Sequence, residues 1–226
     1  TVAQVGERAL IARLARYMAP AGESVLVSVG DDCAVLAPPR QPAREVMTTD
    51  MLVEGTHFLR NSETDWRGLG HKAVAANVSD VASMGAKPVS ILVSLGLPSE
   101  LPVACLEAFY QGMAEEAASA GAALVGGDVT RSPILVISLA VTGHAATGSS
   151  VALRSACRAG QAVYVSGALG GSLAGLRLLT EPACAPLRTA YFAEGLVRRH
   201  WRPQPRVALG LAVAANCPDL AMVDIS

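Results

Sequence analysis

Four segments between residues 65 and 125 alternate in hydrophobic period, and that alternation leaves few folds open to this chain. Residues 65–84 read as a long helix, closed by Gly85 and Pro88. Residues 89–97 form a strongly apolar strand, and 102–120 an amphipathic helix with proline near its first turn. Residues 122–125 read as a short buried strand that ends in Gly126-Gly127-Asp128. The segment thus reads as helix, strand, helix, strand in order.

The flanking segments extend the pattern. Residues 7–18 place Leu10, Ile11, Leu14 and Ala15 at helical spacing, and Pro20 and Gly22 close the helix. Strands are expected at 25–29 and 33–37 around a Gly30-Asp31-Asp32 turn, at 45–49 delivering Asp50 at its end, and at 134–142. Residues 143–150 are small and polar and read as a linker between a domain at 1–143 and another at 144–226. The second domain is expected to hold strands at 162–166 and 220–225 and helices at 172–179, 188–199 and 207–215. Two strands and three helices are too few to cover a sheet on both faces. The domain is therefore expected to be truncated, with a further portion beyond residue 226.

Composition narrows the function classes. The chain is 51% hydrophobic and 16% charged, so it can bury a real core, and 4% aromatic content means small aliphatic side chains must fill it. A net charge of −1 gives no electrostatic reason to bind nucleic acid. Five widely spaced cysteines without a C-x-x-C fit neither a disulfide framework nor a zinc site, but reduced, mostly buried thiols in the cytoplasm. No signal-peptide pattern or membrane-length apolar run is present. With no initiator Met, the N-terminus is expected to be trimmed or internal.

The aspartates carry the chemistry. Six of the eight fall at Gly30-Asp31-Asp32, Thr48-Thr49-Asp50, Asn77-Val78-Ser79-Asp80, Gly126-Gly127-Asp128 and Val223-Asp224-Ile225-Ser226. Carboxylates beside Gly, Ser and Thr at strand ends suit hard divalent cations such as Mg²⁺, which takes oxygen ligands and bridges to phosphates. Each place also has a plainer use. Gly30-Asp31-Asp32 suits a hairpin turn, and Thr48-Thr49-Asp50 suits a helix cap or hydroxyl turn. Asn77 and Asp80 share one helix face at i, i+3, in register with Lys72. Buried Asp80 needs a partner, either Lys72 or a cation. Gly127 allows close backbone approach to a ligand, and Asp128 and Arg131 suit metal and phosphate. His57, in Glu54-Gly55-Thr56-His57-Phe58, is either an ordinary surface or core histidine or a substrate contact.

Two phosphoryl-transfer classes, P-loop enzymes and protein kinases, are excluded. There is no G-x-x-x-x-G-K-[ST] loop and no H-R-D or D-F-G set. Gly167-Ala168-Leu169-Gly170-Gly171-Ser172 is not a literal G-x-G-x-x-G, and close helix–strand packing accounts for its glycines.

Taken in order, Gly30-Asp31-Asp32-Cys33-Ala34, Thr48-Thr49-Asp50, Glu54-Gly55-Thr56-His57-Phe58, the run from Lys72 to Asp80, Met84-Gly85-Ala86-Lys87-Pro88, Gly126-Gly127-Asp128 and Arg202-Pro203-Gln204-Pro205-Arg206 closely resemble the thiamine-monophosphate kinase family. The Asn-x-Ser-Asp helix and the Gly-Gly-Asp segment are shared with aminoimidazole-ribonucleotide and selenophosphate synthetases; the Gly-x-His-Phe segment favours the thiamine enzymes. The resemblance implies a two-domain α/β (α+β) fold of the aminoimidazole-ribonucleotide synthetase type. A mixed N-terminal sheet with flanking helices would mediate homodimerisation, and ATP would bind between the domains. It implies that Asp32, Thr48, Thr49, Asp50, Asp80, Asp128 and Asp224 hold several Mg²⁺ ions. Gly127, Asp128, Arg154 and Ser226 would contact ATP, and His57 the thiamine monophosphate. The family's Asp-x-Ser-Asp-Gly motif would begin at Asp224 and is cut after Ser226.

A phosphate nucleophile is already largely ionised at neutral pH, with a second pKa of about 6. No protein base is required, and none stands out. Direct in-line transfer to thiamine monophosphate is therefore expected, with charge neutralisation as the main task. The alternatives are a sibling ATP-dependent synthetase and a non-catalytic Mg–nucleotide-binding protein.

Overall fold

The computed structural model describes residues 1–29, 33–217 and 219–225. Strands β1 (Val25–Val27) and β2 (Val35–Leu36) form a small antiparallel pair. The main sheet holds β3 (Ala43–Val53), β4 (Lys87–Leu97), β5 (Ala123–Arg131) and β6 (Val136–Ala146) in the order β3-β6-β4-β5. It is mixed: β3–β6 and β6–β4 are antiparallel, β4–β5 parallel. The expected Gly30-Asp31-Asp32 turn, with candidate ligand Asp32, lies outside the described residues.

Short α1 (Val2–Val5) and α2 (Glu7–Leu14) precede the sheet, and a 3₁₀ turn at Ala15–Tyr17 replaces the last turn expected of the first long helix. The long helices α3 (Trp66–Ser83) and α4 (Val103–Ala120) cover one sheet face. Asp65 caps α3 by accepting the Gly68 N–H at 2.8 Å, the N-terminal capping chemistry expected of Asp. On α4, Leu106, Phe109, Tyr110, Met113 and Ala117 are all buried, a stripe at helical spacing. They meet Ile91, Val93 and Leu95 of β4 and Ile137, Leu139 and Val141 of β6 in one core.

Several boundaries differ from expectation. β3 runs through Asp50 to Val53, so Asp50 sits inside the strand, because β6 offers a ladder partner along the whole length. β5 likewise continues through Gly126-Gly127-Asp128 to Arg131. A Cβ at Gly127, where φ is 157°, would fall on the Val93 carbonyl of β4; the glycine permits close strand approach, not a turn. Residues 143–146 of the expected linker belong to β6, leaving 147–150 as the exit.

Beyond β6 lie α5 (Gly171–Thr180), α6 (Ala193–Trp201) and α7 (Val207–Asn216). α6 starts later than expected, after a 3₁₀ stretch at Pro182–Leu187. The expected strands at 162–166 and 220–225 are absent among the described residues. A strand needs a neighbour for its backbone groups, and none stands there; Val163 and Tyr164 are 94% and 90% exposed. α6 and α7 dock on α3 instead: Trp201 lies over Gly68, and Gly210 lies against the Ala82 carbonyl. Among the described residues, no helix is long and apolar enough to cross a membrane. The five cysteines are free thiols, but they are not mostly buried as expected: Cys33, Cys157 and Cys217 are exposed and Cys105 and Cys184 half-buried, because they fall on loops and element edges rather than in the core.

Candidate functional site

Strand alternation sorts the expected ligands. Thr48 pairs with Val141 and Asp50 with Leu139, both buried partners, so Thr48 and Asp50 point to the helix-covered face. β3 is an edge strand, and α3 runs beside this edge. Thr48 Oγ1 donates to Asp80 Oδ2 at 2.8 Å. The Asp50 backbone N–H donates to Asn77 Oδ1 at 2.9 Å, and Asn77 Nδ2 donates to the Ala73 carbonyl at 3.0 Å. Asn77 and Asp80, one turn apart on α3, therefore grip β3 at Asp50 and Thr48.

Asp224 joins this group from the chain's far end. Burial raises the Asp80 carboxyl above the ordinary carboxylate range; the Thr48 hydroxyl opposes that, and the charges of Asp224 and Asp50 push the same way as burial. One Asp224 oxygen, Oδ2, is buried without a hydrogen-bond partner. Carboxylates facing one another with an unpartnered buried oxygen make an oxygen-only donor set that fits a hard cation. Among the described residues, no three His, Cys, Asp or Glu side chains are grouped closely enough to hold a metal ion between them. An open set of this kind is what Mg²⁺ uses, since it keeps water and takes one or two carboxylates plus phosphate oxygens.

Lys72 is not the partner of Asp80. It lies about two turns earlier on α3, where burial lowers its pKa and its charge acts on His200. Thr49 and Asp128 are not brought to the group either. Thr49 points to the open face of the sheet and donates its hydroxyl to the Leu139 carbonyl at 2.8 Å. Asp128 is exposed beside Ser94 in the β4–β5 register, in the same open-face row as Met51 and Ser138. Arg154 is exposed in a 3₁₀ turn, Arg154–Ala156, just past a hollow of about 560 Å³ lined by Arg44, Gly148, Val151 and Leu153. Ser226 lies outside the described residues.

His57 stands on a turn beyond the end of β3. Gly55 takes φ 83°, a left-handed conformation that favours glycine. The Val53 N–H donates to His57 Nδ1 at 3.0 Å. In neutral imidazole this places the proton on Nε2, leaving an exposed N–H donor suited to an anionic oxygen. Glu54 anchors the turn, accepting the Leu135 N–H at 2.8 Å and pairing with Arg60 at 2.9 Å. Its role was not apparent in the sequence, where the acid before Gly55 was the only signal.

Residues 30–145 match the family model described as AIR synthase related protein, N-terminal domain. Over its whole length the chain is 40% identical to a thiamine-monophosphate kinase of Mycobacterium tuberculosis (strain CDC 1551 / Oshkosh), covering 64% of that protein. Among solved structures, the thiamine-monophosphate kinase from Stenotrophomonas maltophilia K279a is 36% identical with a TM-score of 0.74, over 91% of this chain and 62% of that one. AaThiL complexed with AMPPCP and TMP is 32% identical with a TM-score of 0.68, over 93% and 63%. The chain thus spans less than two thirds of the length of these relatives. It belongs to the AIR synthase related family, and within that family its likeness is to the thiamine-monophosphate kinases.

Proposed function

We propose that this chain carries the metal site of an ATP- and Mg²⁺-dependent thiamine-monophosphate kinase, which makes thiamine diphosphate and ADP in the last step of thiamine diphosphate biosynthesis. The observation that carries the reading is the Thr48–Asp50–Asp80–Asp224 oxygen group, in a chain aligned throughout with thiamine-monophosphate kinases. A related structure holds AMPPCP, an ATP analogue, together with TMP, which we take to be thiamine monophosphate.

Asp50, Asp80 and Asp224, with Thr48, would hold Mg²⁺, and Asp32, Thr49 and Asp128 would serve further ions. Bound Mg²⁺ supplies charge neutralisation between two anionic phosphates. Gly127, Asp128, Arg154 and Ser226 would contact ATP. His57 would donate its Nε2–H to the acceptor phosphate. An acceptor phosphate oxygen forms a bond to the γ-phosphorus as the bond to the β–γ bridging oxygen breaks, and ADP leaves with that electron pair. No side chain need act as base, and no phospho-enzyme forms.

We also propose two domains, their expected boundary at 143/144 shifted to the 147–150 exit because β6 runs to Ala146, a cytoplasmic location, and a homodimer through the open sheet face. That face exposes Met47 (73%), Met51 (53%) and Leu92 (44%), a row of apolar side chains on a surface without helices. Sedimentation of the intact protein as a monomer at micromolar concentration would contradict the dimer.

The test of function is the intact protein with ATP, Mg²⁺ and thiamine monophosphate. ADP and thiamine diphosphate in equal amounts, with no phosphoprotein trapped by acid quench, support direct transfer. ADP release only with an amide or selenide acceptor would instead assign a sibling synthetase.

A further inference from the structure

Asn77 is 2% exposed and offers neither charge nor a free hydroxyl, yet it stands between two residues of the proposed metal site. Its carbonyl oxygen takes the Asp50 N–H, and its amide nitrogen is fixed by the Ala73 carbonyl one turn back on α3. The second bond sets which end of the amide faces β3. On an edge strand, alternate amides have no ladder partner, and the one at Asp50 is satisfied by Asn77 instead. One turn further along the helix, Asp80 takes the Thr48 hydroxyl. Two bonds from one helix face thus fix two same-face residues of β3, the first on backbone and the second on side chain.

We infer that Asn77 is a positioning residue: it holds the Asp50 backbone at a fixed height against α3, so that the Asp50 carboxylate and the Thr48 hydroxyl face Asp80 together. Asn77 touches neither metal nor substrate. The inference rests on the metal-site reading above, and its test separates the two.

The intact protein is titrated with Mn²⁺ by electron paramagnetic resonance, alongside Asp80→Asn, Asn77→Ala and Leu106→Ala, a core change on α4. Backbone amide exchange at Asp50 is followed in each. Slow exchange at Asp50 in the wild type is expected, with protection lost in Asn77→Ala and Mn²⁺ affinity reduced about tenfold, as for other residues that orient metal ligands. Leu106→Ala should keep wild-type affinity. Unchanged affinity in Asn77→Ala, or an equal loss in Leu106→Ala, overturns the positioning role while leaving the metal site standing. Mn²⁺ binding that Asp80→Asn does not weaken overturns both. Should Asn77→Ala fail to fold, rapid exchange at Asp50 in the wild type alone overturns the inference.

Discussion

Thr48 donates its hydroxyl to the Asp80 carboxylate across 2.8 Å, and this bond joins an edge strand to the helix that carries the family's Asn-x-Ser-Asp motif. It is partly buried and opposes the forces that raise the Asp80 carboxyl. Thr48→Val keeps the shape and removes the donor. The Asp80 carboxyl should rise further, and metal affinity should fall about tenfold. Stability should change by only about 1 kcal/mol. Mn²⁺ titration beside thermal melting separates the two effects; an unchanged affinity would mean Thr48 serves packing alone.

Gly127 is required by strand spacing. Gly127→Ala drives a methyl group into the Val93 carbonyl, so β4 and β5 must part. A loss of about 2 kcal/mol or more is expected in urea unfolding. A near-neutral result would show that β5 can slide without cost.

How much of this was legible in the sequence divides along physical lines. The α3–β4–α4–β5 order came from long periodic runs, and Asp65, Gly85 and Pro102 marked the helix ends within a residue or two. Strand lengths did not emerge, because Asp50 and Gly127 look like punctuation until a neighbouring strand is known to pair with them. The expected strands at 162–166 and 220–225 had the right composition, but pairing is a tertiary property that composition does not carry. In the site, period-two alternation could have separated Thr49 from Thr48 and Asp50. The reach from Asp80 to Asp224, 144 residues later, was available only through the family resemblance.

An acid–imidazole contact, its carboxylate buried, joins α3 to α4. His71 Nε2 lies 2.6 Å from Glu116 Oε2, with Glu116 only 6% exposed. Glu116→Ala should cost about 2 kcal/mol, since it removes a buried carboxylate that faces the half-buried His71 and leaves the imidazole without it. Glu116→Gln, which retains an acceptor, should cost less. Equal losses in the two variants would mean that packing volume, not the contact with His71, holds the helices.

His200 should make the chain acid-sensitive. Burial is the main cause that lowers its pKa from 6.5 to about 4, and the charge of Lys72 adds to it. The unfolded chain therefore binds a proton between these values that the folded chain refuses. Stability fully present above about pH 6.5 should fall as pH drops towards 4. Asp80, whose pKa is raised, acts in the opposite direction, so the His200 share is read by difference. Urea midpoints at pH 7.5 and 5.0 should differ less in His200→Gln than in the wild type. An identical pH dependence would show that His200 is protonated without penalty.

The most direct test of the metal-site reading is turnover by the intact protein with and without the Asp80 carboxylate. Wild type with ATP, Mg²⁺ and thiamine monophosphate should yield thiamine diphosphate and ADP in a one-to-one ratio. Asp80→Asn, folded by circular dichroism, should yield neither above background at any Mg²⁺ concentration near the wild-type optimum. Wild-type turnover in Asp80→Asn, or ATP binding by the wild type with no thiamine diphosphate formed, would contradict it.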